Sequence, residues 1–442
     1  MSEITRRDLL LAAGAAVGGA ALLSRAEAQS TGHEHHAPAP ARPAVKPRKT
    51  PRRTPAGWRD DGAVVTPNGA RMPWKVVDGV KVFHIVAEPV QHEIVEGLDI
   101  EAWGYNGRTP GPTIEVVEGD RCRFYVTNKL PEETSIHWHG VFVPNGMDGV
   151  SGLTQKAIPP GETYTYEFTF SKPGTFMYHP HFDEMTQIAL GMVGMIVVHP
   201  RRGRRPDRDY AILLHEWDIP AGARRPNPLA MSDFNVLTMN SRAYPGTEPL
   251  VAEKGERVRI RLGNLGPMDH HPIHIHGHAF AVVETDGGPV PPSARWPETA
   301  VLVPVGTVRA VELRAEAPGD WPLHCHMTHH VMNQMGHDTP NLVGADVADA
   351  DRRIRKLVPG YMAMGQTGMG SMAGMGHAVP ANSVPMKGAP GPFGTIDMGG
   401  MFTIVKIRER LTGDPGWYAH PPGTVAQAAS KDQLARDGIE VE

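Results

Sequence analysis

Apolar and polar residues alternate in short runs along most of the chain, and the runs end at Gly or Pro. Residues 111–128, GPTIEVVEGDRCRFYVTN, alternate on either side of a Gly-Asp turn, and residues 249–264, PLVAEKGERVRIRLGN, repeat that design. A period of two marks strands with one buried face, and many such short strands separated by turns predict an all-β sandwich or barrel. A stronger repeat sets residues 164–181, YTYEFTFSKPGTFMYHPH, against residues 309–326, RAVELRAEAPGDWPLHCH. Both place Pro-Gly, an aromatic residue and His-x-His at the same offsets. One unit is therefore duplicated, over 70–200 and again over 205–408.

The ends of the chain break this pattern. Arg6-Arg7 precedes a run rich in Ala and Gly, and Ala26-Glu27-Ala28 follows it. This resembles a twin-arginine signal peptide over 1–28, which predicts export to the periplasm; an uncleaved anchor is the alternative. With the signal removed, no stretch reaches transmembrane length. Residues 29–69 contain GHEHH and a Pro-, Ala- and Arg/Lys-rich run, which predicts a disordered linker. Residues 409–442 are mostly polar or small and predict a terminal arm. The net charge of -4 over 442 residues gives no reason to expect a nucleic-acid partner.

Chemistry concentrates in four His-x-His pairs, His137/His139, His179/His181, His274/His276 and His324/His326, two from each copy. On an extended backbone each pair sends both imidazoles to one face. Eight convergent imidazoles suit three copper ions. The copies differ where it matters, because the second has Cys325 where the first has Pro180. Cys325 points away from its flanking histidines, so its thiolate addresses a different metal. His330 follows five residues later and Met335 ten, and a turn at Pro272 can bring His271 to the same place. Thiolate, two imidazoles and a weak axial Met are blue-copper ligands. The other cysteine, Cys122, lies in an alternating strand as a buried small hydrophobe, and no disulfide framework exists.

The motifs HWHG, YHPH, HPIHIHGH and HCHMTHHVMNQM together resemble the multicopper oxidase family, in its laccase-like two-domain branch with the blue copper in the second domain. That resemblance implies two tandem cupredoxin-like Greek-key domains and four coppers per functional unit. It assigns His271, Cys325, His330 and Met335 to type 1 copper and His137 and His274 to type 2. His139, His179 and His326 match one type 3 copper, and His181, His276 and His324 the other. It implies dioxygen as acceptor and a homotrimer whose three-copper sites lie between chains. Proton delivery falls to Asp148, which holds the family's aspartate position, with Asp183 and Glu184 behind it. Val331 departs from the longer enzymes, which often carry an acidic residue there.

Between Met335 and the closing strand the chain detours through residues 336–400. Met362, Met364, Met369, Met372, Met375 and His377 fall there, at spacings that match no packed helix. Thioethers suit Cu(I), so this insertion predicts cuprous-ion handling, with a plain low-complexity insertion as the other reading. Cu(I) is the first expected donor and a small phenol or aromatic amine the second. A copper nitrite reductase would carry its cysteine in the first domain, and a copper-tolerance protein without turnover leaves the full set of electron-transfer ligands unexplained.

Overall fold

The computed structural model describes residues 63–220, 222–334, 353, 356–357, 381–384 and 388–441. Two β-sandwiches follow one another along the chain, both cupredoxin-like and built on one plan. In the first, one sheet orders Trp74–Val77, Val80–Val95, Arg121–Asn128 and Thr163–Thr169, with Leu98–Tyr105 beside Val80–Val95. The facing sheet orders Gly111–Val117, Gly194–His199, Gly174–His179 and His137–His139. The second sandwich pairs a seven-stranded sheet centred on Arg208–Trp217, Arg257–Asn264 and Thr307–Arg314 with a five-stranded one. The latter orders Leu250–Glu253, Phe402–Arg408, Gly319–Cys325, His271–Ile275 and Ala300–Val303.

The duplication holds at the level of register. Val80–Val95 runs parallel to Arg121–Asn128 as Arg208–Trp217 runs parallel to Arg257–Asn264. His137 stands opposite His179, and His274 opposite His324, in equivalent ladders. Alternation decides which side chains are inside: Cys122, Phe124 and Val126 enter the first core while Arg121 and Tyr125 face outward.

Some strands are buried on both faces, and these mark where the halves meet. In Gly194–His199, Ile196 and Val198 enter the first core, while Met195 and Val197 pack on Ala211 and Leu213 of the second half. Arg261 lies in the same contact, donating to Asp209 at 2.7 and 2.9 Å, to Glu284 at 2.9 Å and to Thr175 of the first half at 2.7 Å. The seven-stranded sheet is thus the floor on which the first sandwich rests.

Residues 63–69, at the end of the expected linker, join this contact. Val64 is buried and Val65 bridges Tyr210, because Ala63-Val64-Val65 is apolar enough to pack. Of the insertion, residues 388–400 include a hairpin, Pro390–Gly391 with Gly394–Thr395, and Met398 packs beside Tyr244 and Phe402. Met335, Met362, Met364, Met369, Met372, Met375 and His377 lie outside the described residues, as do residues 1–62. No helix among the described residues is long and apolar enough to cross a membrane.

Candidate metal centre

The strands His271–Ile275 and Gly319–Cys325 are neighbours, and alternation gives each two kinds of histidine or thiol position. Ile273, Ile275, Leu323 and Cys325 belong to the core. His271 shares their side, whereas His274, His276, His324 and His326 take the outer face of the sheet. His330 reaches the inner group from the short 3-10 helix Thr328–Val331. The Cys325 thiol lies 3.8 Å from His271 Nδ1 and 3.5 Å from His330 Nδ1, and the two nitrogens are 3.2 Å apart. Three ligands about 2.1 Å from a shared metal in one plane stand about 3.6 Å apart, so this triangle fits a trigonal His2Cys copper.

The electrostatics of the group favour a cation. Burial pushes the Cys325 thiol up to about 12, so its thiolate needs an adjacent positive charge. Burial and His271 lower His330 to about 4, which leaves it neutral and able to ligate. Two carboxylates address the far nitrogens. Glu216, fully buried, lies 3.3 Å from His271 Nε2, and Asp269 lies 3.6 Å from His330 Nε2. Glu216 also accepts from the backbone N–H groups of Met268 at 2.5 Å and Asp269 at 2.8 Å. Burial opposes its charge, yet His271, His215 and the Asp269 N–H together hold it below the ordinary glutamate value.

The remaining eight histidines form two groups of four. In the first half, His139 Nδ1 lies 3.2 Å from His179 Nε2, and the His137 ring stands 5.3 Å from His179 and 5.6 Å from His181. In the second half, His276 Nε2 lies 3.1 Å from His324 Nε2, and the His274 ring stands 5.5 Å from His326. Four backbone carbonyls fix ring orientation. The Nδ1 of His137, His179, His274 and His324 donates to the carbonyls of Asp148, Pro180, Thr299 and Cys325 at 2.6–2.8 Å. Each ring is left with its Nε2 lone pair free for a metal. Burial lowers His179 to about 3 and also lowers His139, His276 and His324, so these imidazoles are neutral.

These two groups do not meet within one chain. Thr175, Met177 and His179 share the face of the first sandwich that rests on the seven-stranded sheet. His274, His276, His324 and His326 lie on the outer face of the five-stranded sheet, across the second sandwich, whose sheets stand about 10 Å apart. Among the described residues, ring contacts join histidines within each group and none crosses between them.

The carboxylates expected to deliver protons fall at different places. Asp148 lies 3.5 Å from His137 Nδ1 through its carboxylate. Glu184 lies 3.5 Å from His179 Nδ1 and 3.7 Å from His181 Nε2. Asp183 precedes the helix Glu184–Ala189 at φ 40, and its carbonyl accepts from Gln187. Its carboxylate touches none of these histidines among the described residues. His270 accepts from the Val305 N–H, and His278 bridges the His276 carbonyl and the Ala317 N–H. Both therefore support backbone rather than metal. Glu216 and Asp269 were not singled out from sequence. The signal for Glu216 is a charged residue inside AILLHEW, a strand otherwise apolar enough to be buried throughout.

Two family models described as multicopper oxidase match residues 86–203 and 221–342. The chain is 31% identical over 291 residues to oxidoreductase OpS5 of Beauveria bassiana, covering 57% of this chain and 47% of that protein. It is 30% identical over 304 residues to laccase-2 of Botryotinia fuckeliana, covering 60% of this chain and 51% of that one. The chain thus spans about half the length of these curated relatives. The crystal structure of a blue copper oxidase from Nitrosomonas europaea superposes with a TM-score of 0.56 at 26% identity, covering 74% of this chain and 85% of that one.

Proposed function

The chain belongs to the multicopper oxidase family, and from that premise we propose that it couples one-electron oxidation of a reducing donor, foremost Cu(I), to four-electron reduction of dioxygen to water. The observation that carries this is the single strand ending at Cys325. It sends a thiolate inward to His271 and His330 and two imidazoles outward to a second group. His271, Cys325 and His330, with Met335 from the family pattern, would hold type 1 copper. His137 and His274 would hold type 2, and His139, His179, His326, His181, His276 and His324 the type 3 pair. Four coppers so bound supply one-electron acceptance and the multielectron reduction of dioxygen.

The chain's own residues decide where a donor approaches. His271 is sealed by Glu216, whereas His330 turns its Nε2 toward Asp269, which is partly exposed. The donor therefore docks at the His330 edge. Asp148 and Glu184, each beside a first-half imidazole, are the proton-handling candidates; Asp183 serves the turn that positions Glu184.

Separation of the two four-histidine groups supports assembly between chains. The exposed apolar residues Phe142 (59%) and Met185 (58%) lie three and four positions beyond first-half histidines, and Leu302 (50%) and Met327 (44%) lie beside second-half ones. A contact joining unlike faces and repeated around a threefold axis closes a ring of three, in which every chain lends one group to each neighbour. Export by the twin-arginine route would place this trimer in the periplasm.

Cu(I) as donor rests on the methionines at 362–375. A laccase reading, with a small phenol as donor, is favoured by the likeness to laccase-2. Oxygen uptake by the copper-loaded protein separates the two. Uptake is expected to be faster with Cu(I) than with a small phenol, and deletion of residues 361–377 is expected to remove the cuprous rate while sparing the phenol rate. Dominant phenol turnover that ignores the deletion would overturn the cuprous assignment and leave the oxidase one standing.

A further inference from the structure

We propose that residues 421–441 form a docking arm that packs a small apolar face onto a second copy of this chain. This inference rests on the interchain reading above and assigns a further part of that contact.

The arm leaves the body at a defined anchor. Arg408 donates to the carbonyls of Pro415 at 3.2 Å and Gly416 at 2.8 Å, and Asp320 accepts from the Tyr418 N–H at 2.8 Å. The Lys406 ammonium lies 4.6 Å over the Trp417 ring and the Arg408 guanidinium 5.6 Å over Tyr418. Asp320 pairs with Lys406 in the same ladder in which His324 pairs with Phe402. Four residues separate Asp320 from His324, so both side chains take the outer face of the sheet, about 13 Å apart. The arm therefore starts beside the four-histidine face that one chain cannot complete.

Beyond the anchor, the sequence delimits a helix with care and then gives it nothing to pack on. Ser430 caps Lys431–Arg436 by accepting from the Gln433 N–H at 3.2 Å. At the other end Gly438 takes φ +68, its N–H meets the Ala435 carbonyl and the Ile439 N–H meets that of Leu434. This pair of bonds is a Schellman ending, which brings Leu434 and Ile439 to one side. A helix this short is not stable in water without tertiary packing. Yet none of residues 421–441 is buried, and among the described residues their hydrogen bonds are all with one another. Ile439 and Val441 are 55% and 75% exposed. Among the described residues, a helix closed at both ends has no partner on its own chain.

A second copy is the partner that the anchor selects. The surface that completes the second-half histidines must arrive at the outer face of the five-stranded sheet, alongside the arm's exit. The stretch from Tyr418 to Ser430 can span up to about 40 Å, enough to cross onto that neighbour.

The test compares the copper-loaded full chain with a Leu434→Asp, Ile439→Asp double variant by sedimentation equilibrium over a concentration series. Absorbance of the thiolate–copper centre serves as the fold control. The dissociation constant of the assembly is expected to rise at least about tenfold in the variant, with the absorbance per chain unchanged. Truncation after His420 is expected to weaken assembly at least as much. Assembly of undiminished strength in both altered proteins overturns the arm and leaves the interchain copper site intact. A copper-loaded wild-type chain that sediments as a monomer overturns both.

Discussion

Glu216 is a full charge with no access to solvent, and such a group persists in a fold only where donors surround it. It meets His271 Nε2 and two backbone N–H groups, so its carboxylate fixes the imidazole with Nδ1 turned to Cys325 and His330. A glutamine in its place keeps the volume but presents an amide with one acceptor oxygen and removes the charge that steadies the ring. Glu216→Gln is accordingly expected to lower the affinity of the thiolate-bound copper by about 10- to 100-fold, as loss of such outer hydrogen bonds does elsewhere. Titration of the apoprotein with copper against a competing chelator measures this directly. Unaltered affinity would show that Cys325 and His330 hold the metal without help from an oriented His271.

Strands, rather than single residues, explain why some of the site was legible in the chain and some was not. His-x-His pairs and the Cys325 position follow from a period of two, which acts locally and survives any tertiary context. The equivalence of His179 with His324 was accessible through the repeat of residues 164–181 in 309–326, whereas their ladder partners His137 and His274 lie outside it. Which sheet of each sandwich would be covered depends on contacts between distant strands, and no local pattern encodes it. Arg208–Trp217 illustrates the loss of signal: buried on both faces, it shows no alternation from which to infer a partner. Its neighbour Arg257–Asn264 carries Arg261, which binds Asp209, Glu284 and the first-half Thr175 at once. Arg261→Leu removes the cation that buried Asp209 and Glu284 share and leaves Glu284 with Arg259 at 3.0 Å. A loss of about 3–5 kcal/mol is expected, seen as a fall of about 4–6 °C in the melting temperature of the apoprotein. An unchanged melting temperature would mean that water satisfies Asp209, and that Arg259 suffices for Glu284, once Arg261 is gone.

At the scale of the whole molecule, the proposed interchain assembly would have each chain contribute half of two different sites. The first-half group faces the floor of its own second sandwich, and the second-half group faces away from it, so folding more tightly within one chain cannot join them. This makes genetic complementation informative in a way that single substitutions are not. A chain with His179→Ala has a damaged first-half group and a sound second-half group, and a chain with His324→Ala has the reverse. Either chain alone builds only damaged three-copper sites. Dissociated and reassembled in equal amounts, the two produce rings in which a sound first half sometimes meets a sound second half. With random mixing about one quarter of the sites are intact, because each of the two required neighbours is present half the time. Oxygen uptake near one quarter of the wild-type value is therefore expected from the mixture, and close to none from either parent. If both groups served a site within one chain, the mixture would stay as inactive as its parents, since exchanging whole chains cannot repair a site that each chain builds alone.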